Sequence, residues 1–266
     1  MNKIDDLICE NCGVSSEERN KLKSYKKGDV LEFGSYPQTI KKETITIINT
    51  IQDEKGYFTG SDGEKYVLCK AYPHDKYKFS NGEKIENDKE YYFKVEPIKW
   101  KVLEEDNEKL FLFSKLLLDT HIFDNSSNDY SLSNIREWLN NDFYNKAFTD
   151  GQKELIESTT LKDISNVTDK VFLLSKDDIT NTSYGFSNSE YDKERCKVVT
   201  DYAKANFAWE YNDSFYYNKN GCYFLRTPYL SDVYFIRSYG NIHWCRVYYG
   251  TCGVAPALVI DKTKIW

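Results

Sequence analysis

Between residues 229 and 252 the chain carries Tyr229, Tyr234, Phe235, Arg237, Tyr239, Asn241, His243, Trp244, Arg246, Tyr248 and Tyr249, with no Lys, Glu, Gln or Met. Lys and Glu supply 50 of the 266 residues, so a stretch of this length lacking both arises by chance about once in a hundred draws. Tyr, Trp, Arg and Asn anchor recognition surfaces because they combine contact area, few rotatable bonds and a polar tip. The chemistry they offer is contact, not bond making. These residues form the candidate binding face. A plain pair of β-strands accounts for the same composition, since strands are naturally poor in Lys and Glu and rich in Tyr.

Reactive groups are sparse. His74 lies in a Pro-His-Asp turn, His121 follows a strand and His243 sits within the candidate face, and none is paired in sequence with a nucleophile. No catalytic residue is assigned on this basis. Cys9 and Cys12 form a lone C-x-x-C, but tetrahedral zinc needs four ligands and no second pair completes the set. Cys196 and Cys222 read as core fillers. The run Asp124-Asn125-Ser126-Ser127-Asn128-Asp129 is acidic enough to attract a cation, and reads first as a solvated loop. No metal and no cofactor are expected, and binding is favoured over catalysis.

The composition narrows the partners. A formal charge of −6 without a basic stripe argues against nucleic acid and against an anionic membrane surface. A protein or a small neutral ligand is the expected partner, and the oligomeric state stays open. No run approaches the ~18 apolar residues of a membrane span, and the first 15 residues lack the apolar core of a signal peptide. Seven Cys, an odd number, fits a reducing compartment. The expected location is cytoplasmic, with later release or phage association left open.

The elements that must position the face follow from periodicity. Residues 1–26 read as an appendage, with Ser15-Ser16-Glu17-Glu18 at capping-box spacing ahead of a short helix. Residues 27–266 read as one α+β domain: β-rich over 28–113, helical over 131–206, and β-rich again over 221–261. Strands are expected at 44–48, 66–68, 91–95, 98–103, 110–114 and 170–174. Ser131 or Ser133 should cap a helix with Leu132, Ile135, Trp138 and Leu139 on one face, and Thr149 and Thr200 should cap two more. Four strands, at 222–227, 232–239, 242–249 and 253–261, close the chain, with a Gly240-Asn241 hairpin turn between the middle two. Strands, then helices, then strands, without βαβ alternation, indicate antiparallel or mixed sheets.

Several segments resemble a bacterial domain-of-unknown-function family, numbered 6273. They are Phe33-Gly34-Ser35-Tyr36-Pro37-Gln38, Pro97-Ile98-Lys99-Trp100-Lys101-Val102-Leu103, Ile135-Arg136-Glu137-Trp138-Leu139-Asn140-Asn141 with Phe143, and Asp169-Lys170-Val171-Phe172-Leu173-Leu174-Ser175. Arg195-Cys196 ahead of Tyr202-Ala203, Phe224-Leu225-Arg226-Thr227-Pro228, and Gly253-Val254-Ala255-Pro256-Ala257-Leu258 complete the set, over residues 28–260. Ala255 stands where the family usually has Arg.

The closing arrangement is similar to the C-type-lectin-like fold, which also underlies formylglycine-generating enzymes and receptors diversified by retroelements. That likeness implies three readings of the C-terminus. Adenine-directed mutation of Asn codons cannot yield Lys, Glu, Gln, Met or Trp, and apart from Trp244 residues 229–252 fit that set. A diversified receptor is one reading, with Arg226 and neighbouring aromatics supporting its face. A metal- or cysteine-dependent enzyme related to the formylglycine-generating group is the second. It would use Cys245 and Cys252, although their C-x6-C spacing is wider than that group's pattern. A structural domain of a larger assembly is the third. Glu96-Pro97-Ile98 lacks the Asn or Asp of a lectin calcium loop, and Trp209-Glu210-Tyr211-Asn212-Asp213 resembles one only loosely.

Overall fold

The structure, a computed structural model, describes residues 16–211 and 219–265. Cys9, Cys12, Ser15, Asn212 and Asp213 lie outside the described residues. The chain runs α1 (Ser16–Ser24), β1 (Val30–Ile40), β2 (Ile47–Asn49), β3 (Phe58–Gly60), β4 (Lys65–Lys70), β5 (Glu90–Glu105), β6 (Lys109–Ser114) and β7 (Leu116–Leu117). The helical middle follows: α2 (Asn134–Trp138), α3 (Tyr144–Ala147), α4 (Asp150–Leu155), β8 (Thr159–Thr160), β9 (Thr168–Asp169), α5 (Lys176–Thr180), β10 (Val198–Val199) and α6 (Asp201–Ala205). It ends with β11 (Tyr223–Tyr229), β12 (Asp232–Ile236), β13 (Ile242–Cys245) and β14 (Ala257–Asp261). The protein is α+β, with short helices and sheets that are antiparallel apart from the short parallel β7–β10 pair. No described helix is long and apolar enough to cross a membrane.

The main sheet is built on β5, which absorbs both runs expected at 91–95 and 98–103. On one side β5 pairs with β1. On the other its partner changes from β4, at residues 90–94, to β6, from residue 100 onward. Pro97, which has no N–H to give a ladder, falls in that interval. β1 shifts register on either side of Ser35–Pro37, and the Gln38 amide donates to the Glu96 and Pro97 carbonyls at 2.9 and 3.1 Å. Trp100, wholly buried, anchors the same strand by donating Nε1–H to the Phe33 carbonyl at 2.7 Å. Gly34 has φ +69°, and a Cβ there would lie 2.6 Å from the Phe148 ring. The residue must therefore be glycine on both counts.

The helices cap as their sequences dictate, with corrections. Ser133 accepts the Arg136 N–H and starts α2, a π-turn over Leu139–Phe143 carries it into α3, and Leu132 is excluded at 81% exposure. Ile135 and Leu139 are buried as their spacing requires. Thr149 and Gln152 form a reciprocal capping box at α4, and Thr200 caps α6. The apolar run 170–174 is buried from Val171 onward but is not a strand: only Phe172 bridges, to Ala257, because Asn140 takes the neighbouring backbone groups of Lys170 and Val171. Of the run 44–48, only Ile47 and Ile48 enter a strand. Leu22 of α1 packs into the core at 5% exposure.

β14 closes the main sheet against β6, while β11, β12 and β13 form a separate antiparallel sheet. The strands of that second sheet are shorter than expected: β12 stops at Ile236 and β13 at Cys245. The turn between them starts at Arg237, whose N–H donates to the Asn241 carbonyl at 3.0 Å and whose carbonyl accepts from Gly240 at 2.8 Å.

Candidate binding groove

The three-stranded sheet is held from below by two buried guanidiniums. Arg195, with no exposed surface, donates to the backbone carbonyls of Ile179, Glu190, Ser187 and Gly240. It joins the 179–190 segment to the β12–β13 turn. Gly240, at φ +80°, packs directly on the Asp192 carbonyl, leaving no room for a Cβ. Arg226 on β11 donates to Asp163 at 2.8–3.0 Å and lies 2.9 Å from Asp178. Burial works against its charge, but hydrogen bonding to Asp163 and the nearby Asp178 outweigh that and hold its pKa above the ordinary value.

Lys197 is the exception to paired burial. Its ammonium donates to the Ser114 carbonyl and stands 3.6 Å from the Phe113 ring centre, and no described carboxylate pairs with it. Burial, then the charges of Lys115 and Lys101, press its pKa well below the ordinary lysine value.

Above this base, residues from both ends of the sheet converge. A groove of about 580 Å³ is lined by Phe235, Arg237, Tyr239, His243, Trp244, Arg246 and Tyr249 of the candidate face. Its other wall is Trp209, Tyr211 and Thr251, and its floor holds Cys222, Cys245 and Cys252. No carboxylate is among the described residues lining it. Arg237 Nη1 donates to the Tyr239 hydroxyl at 3.0 Å, and Tyr239 stacks on Tyr191. Arg246 is 58% exposed and 3.7 Å from Asp232.

Trp244, 43% exposed, joins the groove to the rest of the face. It stacks on His243 at 5.5 Å and on Tyr229 at 5.7 Å, with interplanar angles of 25° and 13°. Tyr234 pairs across from Trp244, contacts Tyr229 edge-on at 5.0 Å and lies under the Lys176 ammonium at 4.4 Å. Tyr229 and Tyr234 thus sit outside the groove, and Tyr248, 53% exposed, projects beside Tyr249. Asn241 does not reach the surface: it is 3% exposed and bridges to Tyr191, because the turn folds it inward.

His74, His121 and Asp124 lie apart from the groove. His74 meets Phe207 edge-on, and His121 stacks on Trp138 with Nδ1 at 2.7 Å from the Ile122 carbonyl. Asp124 caps its own loop, accepting from Ser126, Ser127 and Asn134 N–H groups; partial burial opposes this, yet its pKa is lowered. Ala255 is buried in the core. Among the described residues no three His, Cys, Asp or Glu side chains are arranged to hold a metal ion. Cys222 is buried in the core, with its Sγ 3.5 Å from that of Cys252.

Trp209 and Tyr211 lie outside the stretch 229–252 that the sequence marks, and only the density of aromatics around 209–211 signals them; Thr251 lies within it. No curated protein and no solved structure matches the chain. Residues 107–262 match the profile of the family described as Domain of unknown function (DUF6273), more than half of the chain, and the protein belongs to that family.

Proposed function

We propose that this is a non-catalytic binding protein on a C-type-lectin-like plan, whose contact face is the β11–β13 sheet and the segment that follows it. The convergence of seven candidate side chains on one groove carries this reading. Two Arg, a His and four aromatic rings without a lining carboxylate suit a protein segment or small ligand of neutral or anionic character. Selection of a random-peptide phage library on the immobilised full chain tests it. Peptides enriched on the wild type should lose binding to a Trp244→Ala/Tyr249→Ala variant of unchanged stability. Equal binding to both proteins would place the contact elsewhere.

The diversified-receptor reading draws on the same face. The DNA of this locus should then contain a near-copy of the codons for 229–252, differing mainly at adenines, beside a reverse transcriptase gene. A locus without such a copy leaves a fixed binding site.

A further inference from the structure

We infer that Cys222 and Cys252 are an oxidative cross-linking site under the groove. Tyr223 and Gly253 bridge in parallel, and Gly253 N–H donates to the Cys222 carbonyl at 2.7 Å. Cys222 and Cys252 are therefore lateral neighbours on adjoining extended segments. Such neighbours lie about 4.8 Å apart, within the Cα separation of about 4.4–6.8 Å that a disulfide spans. Their Sγ atoms are already 3.5 Å apart. Both line the floor of the groove, which gives a small oxidant a way in.

The oxidant is a peroxide. Cys222, the more exposed of the pair at 8% against 1%, takes one peroxide oxygen to become a sulfenic acid while the O–O bond breaks and water leaves. The Cys252 sulfur then attacks the Cys222 sulfur, the S–O bond breaks, and the hydroxyl leaves as a second water with the Cys252 proton. Two thiols lose two electrons, and one peroxide is reduced to two waters. Burial, then hydrogen bonding to Cys222 and Cys245, raises the Cys252 pKa, so the closure is slow at neutral pH. The bond closes the loop 222–252, which contains the whole three-stranded sheet. This assignment rests on the sulfur geometry and does not depend on what the face binds.

The test is peptide mapping of the full chain, reduced and then exposed to hydrogen peroxide, with alkylation of remaining thiols. Trypsin places the three floor cysteines in separate peptides, 220–226, 238–246 and 247–262. The expected product links 220–226 to 247–262 with loss of two hydrogens, in the wild type and in Cys245→Ser. Its formation should raise the Tm by roughly 5–10 °C over the reduced protein, an increase absent in Cys222→Ser. A link from Cys252 to Cys245, or alkylation of both Cys222 and Cys252 after peroxide treatment, would overturn the assignment.

Discussion

Lys197 offers the sharpest test of how the base under the face is built. In the unfolded chain its amine titrates near the ordinary value of about 10.5. In the fold, burial without a carboxylate partner lowers that value well below it. Between the two values the unfolded state holds a proton that the folded state lacks, so stability rises with pH. The rise is tenfold in the folding equilibrium, about 1.4 kcal/mol, for each pH unit in that window. Lys197→Met keeps the chain length and the contact with Phe113 but carries no titrating group. Urea unfolding of both proteins at several pH values between about 7 and 10, followed by tryptophan fluorescence, gives the difference. Subtracting the two curves removes the buried thiols of Cys196 and Cys252, whose raised pKa values lose stability at alkaline pH in both proteins. The Met variant should be the more stable at neutral pH, and its margin should shrink as pH rises toward the ordinary lysine value, by up to about 1.4 kcal/mol per pH unit. A margin independent of pH would mean that Lys197 stays protonated in the fold, and the reasoning from burial would fail.

Arg226→Ala leaves Asp163 and Asp178 facing each other without their cation, and should cost about 3–5 kcal/mol in urea unfolding. A loss below about 1 kcal/mol would show the cluster to be solvated. Leu230, at φ +51° and 87% exposed on the β11–β12 turn, carries strain that glycine relieves. Leu230→Gly should raise stability by roughly 0.5–1 kcal/mol, and a decrease would reveal a packing role. Gly240→Ala sets a Cβ against the Asp192 carbonyl and should cost about 1–3 kcal/mol, read as a fall in the thermal midpoint. An unchanged midpoint would mean the Asp192 loop yields freely.

The fold class was legible because its signals are local. Period-two runs announced β4 and β6, and Thr149, Thr200 and Ser133 each carried the oxygen that caps a helix. Where the reading failed, a distant residue had intervened. Asn140 occupies the backbone groups that would have made 170–174 a strand. Gln38, contributed by β1, bonds the carbonyls around Pro97 and lets two expected strands run as one. Leu132 fits the helical spacing yet falls one residue before the Ser133 cap, in the turn that precedes α2. The candidate face stands out in the sequence through what it lacks. The opposing Trp209 and Tyr211 do not, since nothing local records which segment lies across a groove.

The candidate stretch is not uniform, and its internal division bears on how it would work. Val233, Ile236, Cys245 and Val247 are buried, whereas Tyr229, Tyr234, Arg237, Tyr239, His243, Trp244, Arg246, Tyr248 and Tyr249 keep contact with solvent. Strand alternation puts Val233, Phe235, His243 and Cys245 on one side of the sheet and Tyr234, Ile236, Ile242 and Trp244 on the other, so each side carries both buried and solvent-contacting residues. The buried residues share the interior with Arg195 and Arg226, which tie this sheet to its neighbouring segments. A face so fixed before contact gives up little conformational freedom on binding. Arg195 matters most here, because its bonds go to main-chain carbonyls alone and so hold the β12–β13 turn whatever side chains the face displays.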